Sequence, residues 1–193
     1  MPNWLDTETK AMLQQTPPEK LAPPDTGMFA LVLLQKRSDL DRITRALSRI
    51  PGISRTKVAH IVGQACPVPV ASGLSLGDAM LGQFELICCD SISVFLRTEV
   101  VASAEPWYLT QLYRQFRQSP EFESIPITIV SVPNTVLGER FVDQFLGGME
   151  VVGSMASGSL RCENVMRKKA RIMAHWAKKI GAEIIIANET QPS

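Results

Sequence analysis

The sequence predicts an α/β (α+β) chain: a strand-helix-helix-strand-helix-strand domain followed by a second small α/β unit. Three observations predict it. Short apolar and β-branched runs, "FALVLL" at 29–34, "SISVFLRTEVV" at 91–101 and "IPITIVSV" at 125–132, have the length and composition of strands. Between them apolar residues recur at three- and four-residue spacing, in stretches opened by Ser, Asp or Pro. Proline and glycine punctuate the joins, at Pro51-Gly52, Gly147-Gly148 and Gly181.

The elements follow in order. "NWLDTETKAMLQQ" reads as a short helix with Asp6 as N-cap and Trp4, Leu5, Ala11 and Met12 as its apolar side. Pro17, Pro18, Pro23 and Pro24 then mark a semi-rigid spacer, so residues 1–27 stand apart as an N-terminal helix and linker. This arm either packs on its own domain or docks elsewhere through Trp4, and packing is the better expectation. A domain over 28–101 begins with the buried strand at Phe29. Ser38 with Asp41 forms a capping box for a helix with inner residues Ile43, Ala46, Leu47 and Ile50. Arg42, Arg45 and Arg49 are expected on its outer face. Pro51-Gly52 ends it, and Ser54 caps a second helix through Val58, Ile61 and Val62. A short strand near 68–71 carries prolines that suit an edge. Ser75 and Asp78 open a third helix, and the strand from Ser91 closes the domain.

A second unit is expected over 104–190. Pro106 suits the first turn of a helix with Leu109, Leu112, Tyr113 and Phe116 as its apolar stripe. The strand at 125–132 follows, then the helix "VLGERFVDQFL" and a poorly patterned connection at 150–159. "CENVMRKKARIMAHWAKKIG" reads as one long helix, and "AEIIIAN" as a last strand.

Composition narrows the function classes. The 193 residues are 45% apolar and 20% charged, with a net charge of +1, so no global field selects nucleic acid or membrane. The four cysteines form no C-x-x-C pair, and only His60 and His175 add imidazoles, so no metal site or cofactor is expected. Cys88 and Cys89 read as buried free thiols in a reducing compartment. No basic start leads into an apolar run, and no apolar run spans a bilayer; a cytoplasmic protein with no membrane partner is expected. "GLSLGD" does not follow a strand as a phosphate loop must, and neither histidine has an evident Ser or Cys partner, so no catalytic residues and no enzyme activity are expected.

From Phe29 to about Arg97 the chain resembles the C-terminal domain of the bacterial ribosomal stalk protein of the large subunit. "FALVL" stands at the family's first strand and "PGIS" at its Thr-Gly-Leu-Gly turn. "KVAHIV" stands at its second helix, and Gly73, Ser75 and Ala79 of "VASGLSLGDAM" at its third helix opening. The Clp protease adaptor that recognises N-terminal degrons is similar in fold. The resemblance implies a docking platform that uses basic and apolar residues of its first two helices. Arg45 falls on a family lysine, whereas Ser48 and Thr56 fall on two others, beside Arg49 and between Arg55 and Lys57. These departures mark a relative of the module.

Two basic clusters are the candidate sites. Residues 36–57 hold seven Lys or Arg against two Asp. Arg42, Arg45, Arg49, Gly52, Ile53, Ser54, Arg55 and Lys57 form the expected dock for a protein partner with an acidic surface. The same turn also resembles a helix-hairpin-helix, in which bare backbone N–H groups meet a phosphate, although Ser54 replaces its second glycine. A basic ridge at 161–179, represented by Arg167, Lys168, Arg171 and Lys178, is the corresponding candidate for nucleic acid. The sequence therefore predicts a non-catalytic docking or adaptor protein, with nucleic-acid binding as the alternative and the oligomeric state open.

Overall fold

A computed structural model describes residues 5–13, 28–147, 149, 151–154 and 158–187. Trp4, the proline-rich spacer and the middle of the 150–159 connection lie outside the described residues. The chain is mixed helix and sheet, and it divides into two compact units between Gln118 and Ser119.

The first unit is a three-stranded antiparallel sheet with helices. Its strands are β1 (Phe29–Gln35), β2 (Val68–Leu74) and β3 (Ile92–Arg97), in the order β2-β1-β3. Val32 lies opposite Pro69 on one side and Val94 on the other. Every residue of β1 except Gln35 is buried. Successive strand residues point to opposite faces, so both faces of this central strand are covered. Pro69 lies in the edge strand β2 and Pro67 just before it, where a missing N–H donor is tolerated.

Between β1 and β2 lie α2 (Leu40–Ser48) and α3 (Arg55–Gly63); between β2 and β3 lies α4 (Leu76–Cys88). The expected strand-helix-helix-strand-helix-strand order is therefore present. Helix α4 is buried on almost every side because it packs on all three strands, on α2 and on α1 (Thr7–Leu13). Ser54 accepts from Lys57 N at 3.3 Å, and Ser75 from Asp78 N at 3.1 Å, as the capping patterns predict. The cap of α2 is Asp39 instead of Ser38: its Oδ1 accepts from Arg42 N at 2.9 Å. The Ser38 hydroxyl instead donates to the Cys89 carbonyl at the end of α4.

Three expectations are corrected here. The strand read over 91–101 stops at Arg97, and Thr98–Ala102 is the short helix α5. Helix α6 (Pro106–Arg117) groups with the first unit, not the second, because it packs on β1. In α1, Asp6 is the N-cap as expected, accepting from Thr9 N at 2.8 Å. The buried side, however, is Leu5, Thr9 and Leu13, while Ala11 is exposed.

The second unit is a four-stranded antiparallel sheet. It comprises β4 (Ser124–Ser131), β5 (Val152–Ser154), β6 (Ser159–Met166) and β7 (Glu183–Ile186), in the order β5-β6-β4-β7. Helices α7 (Val136–Phe145) and α8 (Arg167–Ile180) belong to it. Ile125, Ile127 and Ile129 alternate inward along β4 with Cys162, Val165 and Ile184 of its neighbours. The long helix read from Cys162 is corrected: residues 162–166 finish strand β6, and α8 starts at Arg167. Gly181 closes α8 in the left-handed conformation at φ 76°, the conformation a glycine C-cap supplies.

Candidate functional site

The turn between α2 and α3 is tight. Pro51 and Gly52 form it, and Gly52 has φ +77° with open space around the position of a Cβ. The glycine is thus required by backbone conformation and not by a close neighbour. Ile53 N donates to Ile50 O at 3.4 Å, Lys57 N to Ser54 Oγ at 3.3 Å and Val58 N to Ser54 O at 2.9 Å. Ile53 N–H and Lys57 N–H are thus engaged within the hairpin, and Val58 N–H makes the first bond inside α3.

The seven cations of residues 36–57 separate into two kinds. Lys36 donates to three carbonyls at the end of α3, Ile61 O, Val62 O and Gln64 O, at 2.9, 2.8 and 2.6 Å. A lysine at a helix C-terminus meets both the orphan carbonyls and the negative end of the dipole, so this residue is structural. Arg42 is corrected from the outer face to the interior. Its Nη2 lies 3.5 Å from Asp90 Oδ2 and 3.2 Å from Cys88 O, which ties α2 to the end of α4. Burial pushes the Arg37 guanidinium below its ordinary value, and Asp90 opposes that shift. Arg49 is 51% exposed but leans on the buried Glu85 at 3.4 Å.

Arg45, Arg55 and Lys57 remain exposed, with no ion pair among the described residues. Arg45 lies in the last turn of α2, whose dipole favours it. Arg55 and Lys57 lie in the first turn of α3, which carries no acidic residue. Positive charge at a helix N-terminus is unfavourable by about 0.3–1 kcal/mol per residue. The fold gains nothing from these two cations where they stand. Ile53 is half-buried beside them, and Gly52 and Ser54 are exposed.

The second basic cluster breaks up more completely. Arg161 is on β6, paired with Glu163 at 2.7 Å, and is not part of a helical ridge. Arg167 pairs with Glu123 at 2.9 Å. Lys168 is 4% exposed, lies 3.9 Å from Glu121 and stands over the Phe122 ring at 5.8 Å. Burial lowers its ammonium to about 8, against the pull of Glu121. Lys169 is fully buried, 3.2 Å from Met149 Sδ. The expected ridge therefore loses Lys168, because α8 starts later than read and its first turn faces the core. Arg171 and Lys178 are exposed, two helical turns apart on one face.

His60 Nε2 is 2.8 Å from Gln64 Nε2, and His175 lies edge-on to Trp176. Among the described residues no group of three or more His, Cys, Asp or Glu is placed to hold a metal ion. No described helix is long and apolar enough to cross a membrane. Cys88, Cys89 and Cys162 are buried and in no disulfide, and burial pushes the Cys66 thiol above its ordinary value. Sequence reasoning missed the different tasks of these cations. Lys36, 25 residues before Ile61 in the chain, carried no local signal of its capping role. No family model matches this chain, and neither does any curated protein or solved structure.

Proposed function

We propose that the α2–α3 hairpin is a protein-docking surface, and that the chain is a non-catalytic adaptor which binds an acidic segment of a partner protein. The observation that supports this best is the placement of Arg55 and Lys57. Both are exposed and without an ion pair among the described residues, and both stand at the helix end where positive charge costs stability. Arg45 flanks the same turn from the other side. Cations that a fold does not use are available to steer and hold carboxylates. Half-buried Ile53 supplies apolar contact between them. The resemblance of residues 29–97 to the stalk C-terminal domain belongs to this reading, since that family docks partners through its first two helices.

The test is affinity capture on the native cell extract, comparing wild type with the triple variant Arg45→Glu, Arg55→Glu, Lys57→Glu. All three side chains are exposed, so the variant is expected to keep the wild-type far-UV spectrum and a cooperative melt. Specific partners are expected to drop out, and an unchanged set of captured proteins refutes the dock. Nucleic-acid binding keeps one observation in its favour, the exposed pair Arg171 and Lys178 on α8.

A further inference from the structure

We infer that α1 is a removable occupant of a helix-docking groove on the first unit. The groove takes an amphipathic partner helix that presents leucine, a small apolar residue and leucine at four-residue spacing. The inference goes beyond the α2–α3 dock and uses none of its residues.

Helix α1 packs against α4. Leu5 and Leu13 are 3% and 0% exposed, and Thr9 between them is 0% exposed. Thr9 and Leu13, four residues apart, lie on one face of this very short helix, and Leu5 just before its N-cap is buried with them. Seven residues are too few for a stable isolated helix; such helices need roughly 12–15 residues even when alanine-rich. The helicity of α1 thus depends on its seat.

The seat is imperfect at its centre. Thr9 Oγ1 is buried and has no hydrogen-bond partner among the described residues. The Thr9 N–H goes to Asp6, so the backbone is satisfied while the hydroxyl is not. A buried unpaired hydroxyl weakens binding by about tenfold or more relative to a side chain that has none. An alanine at that position keeps the stripe and removes the penalty. Residues 14–27 join α1 covalently to β1, so α1 competes for the groove as an intramolecular ligand. A groove filled by a weak tethered helix, with an evident improvement at its middle position, is one that a better helix in trans displaces.

The test uses the full chain and two fluorescein-labelled synthetic peptides, residues 1–15 and the same peptide with Thr9→Ala. Fluorescence anisotropy is read against wild type and against Leu13→Asp, which unseats α1. The Leu13→Asp chain is expected to bind the wild-type peptide at least tenfold more tightly than the wild-type chain does. It is expected to bind the Thr9→Ala peptide roughly tenfold more tightly again. Equal binding to both chains, or no binding to a folded Leu13→Asp chain, overturns the proposal. Hydrogen exchange on the wild-type chain tests it without any variant. The amides of residues 9–13 are expected to exchange far faster than those of α4 and β1. Exchange at the same rate as α4 makes α1 an integral part of the core and overturns the proposal. A concentration-dependent dimer that the peptide dissociates assigns the groove to a second copy, and likewise overturns a foreign partner.

Discussion

At the scale of single residues, charge does two different things in this chain, and burial decides which. Arg42 and Arg45 are one helical turn apart, yet Arg42 faces Asp90 and the Cys88 carbonyl while Arg45 faces solvent. Removing one partner of a buried pair leaves the other charge unpaired. Arg42→Ala is therefore expected to destabilise the first unit by about 3 kcal/mol, whereas Arg45→Ala changes stability by less than about 0.5 kcal/mol. Urea denaturation of the two variants checks this. Lys168 gives a pH-dependent prediction. Its folded-state value is lowered to about 8 from an ordinary 10.5. Between those values the unfolded chain binds a proton that the folded chain does not, so this group's contribution to stability rises with pH across the window. Below about pH 8 the folded chain carries the full burden of a buried ammonium. Lys168→Met is then expected to be the more stable protein at pH 7, by up to about 3 kcal/mol, with the gap closing towards pH 10. A gap that does not narrow over that range shows that Lys168 does not titrate as described.

At the scale of elements, most of the first unit was legible. Ser54 and Ser75 announced their helices because a capping hydroxyl acts within three residues of itself. The same locality explains the failures. Ser38 and Asp39 are both good caps by type, and the distant Cys89 carbonyl decides between them by engaging Ser38. "TEVVA" has β-branched composition but turns helical after β3 with none of its residues fully buried, so composition misreads it where the local preference is weak. Residues 162–166 carry apolar spacing compatible with a helix and become strand because they pair with β4. Close packing of elements also has one sharp test. A Cβ on Gly82 of α4 meets Leu31 Cδ2 at 2.6 Å and Ile50 Cγ2 at 3.2 Å, so the glycine lets α4 approach β1 and the end of α2. Gly82→Ala is expected to lower stability by about 1–3 kcal/mol, despite the better helix propensity of alanine. A thermal melt of this variant that equals or exceeds wild type refutes the close approach.

At the scale of the whole molecule, the basic clusters were visible in the sequence, but their availability was not, because availability depends on long-range partners. Lys36 reaches across 25 residues to α3, and Arg167 across 44 to Glu123. With a net charge of +1, the chain has no general field to concentrate polyanions around it. Retention on a duplex must then come from local exposed cations. On α8 these include Arg171 and Lys178, since Lys168 and Lys169 are buried and Arg167 is paired. Each phosphate neutralised contributes about 0.9 to the slope of log affinity against log salt, and proteins making six to ten contacts lose about 10³–10⁵ in affinity between 50 and 200 mM salt. A surface with two or three such contacts is expected to show a slope no steeper than about −3, and no mobility shift of a short duplex at 150 mM salt. A slope of −6 or beyond requires more exposed cations than α8 presents. It points to nucleic acid as the partner and makes the hairpin cations, Arg45, Arg55 and Lys57, candidates for phosphate contacts in place of carboxylate contacts. The charge-reversed hairpin variant separates the two cases. It abolishes duplex binding only if the phosphate reading holds, and removes captured protein partners only if the docking reading holds.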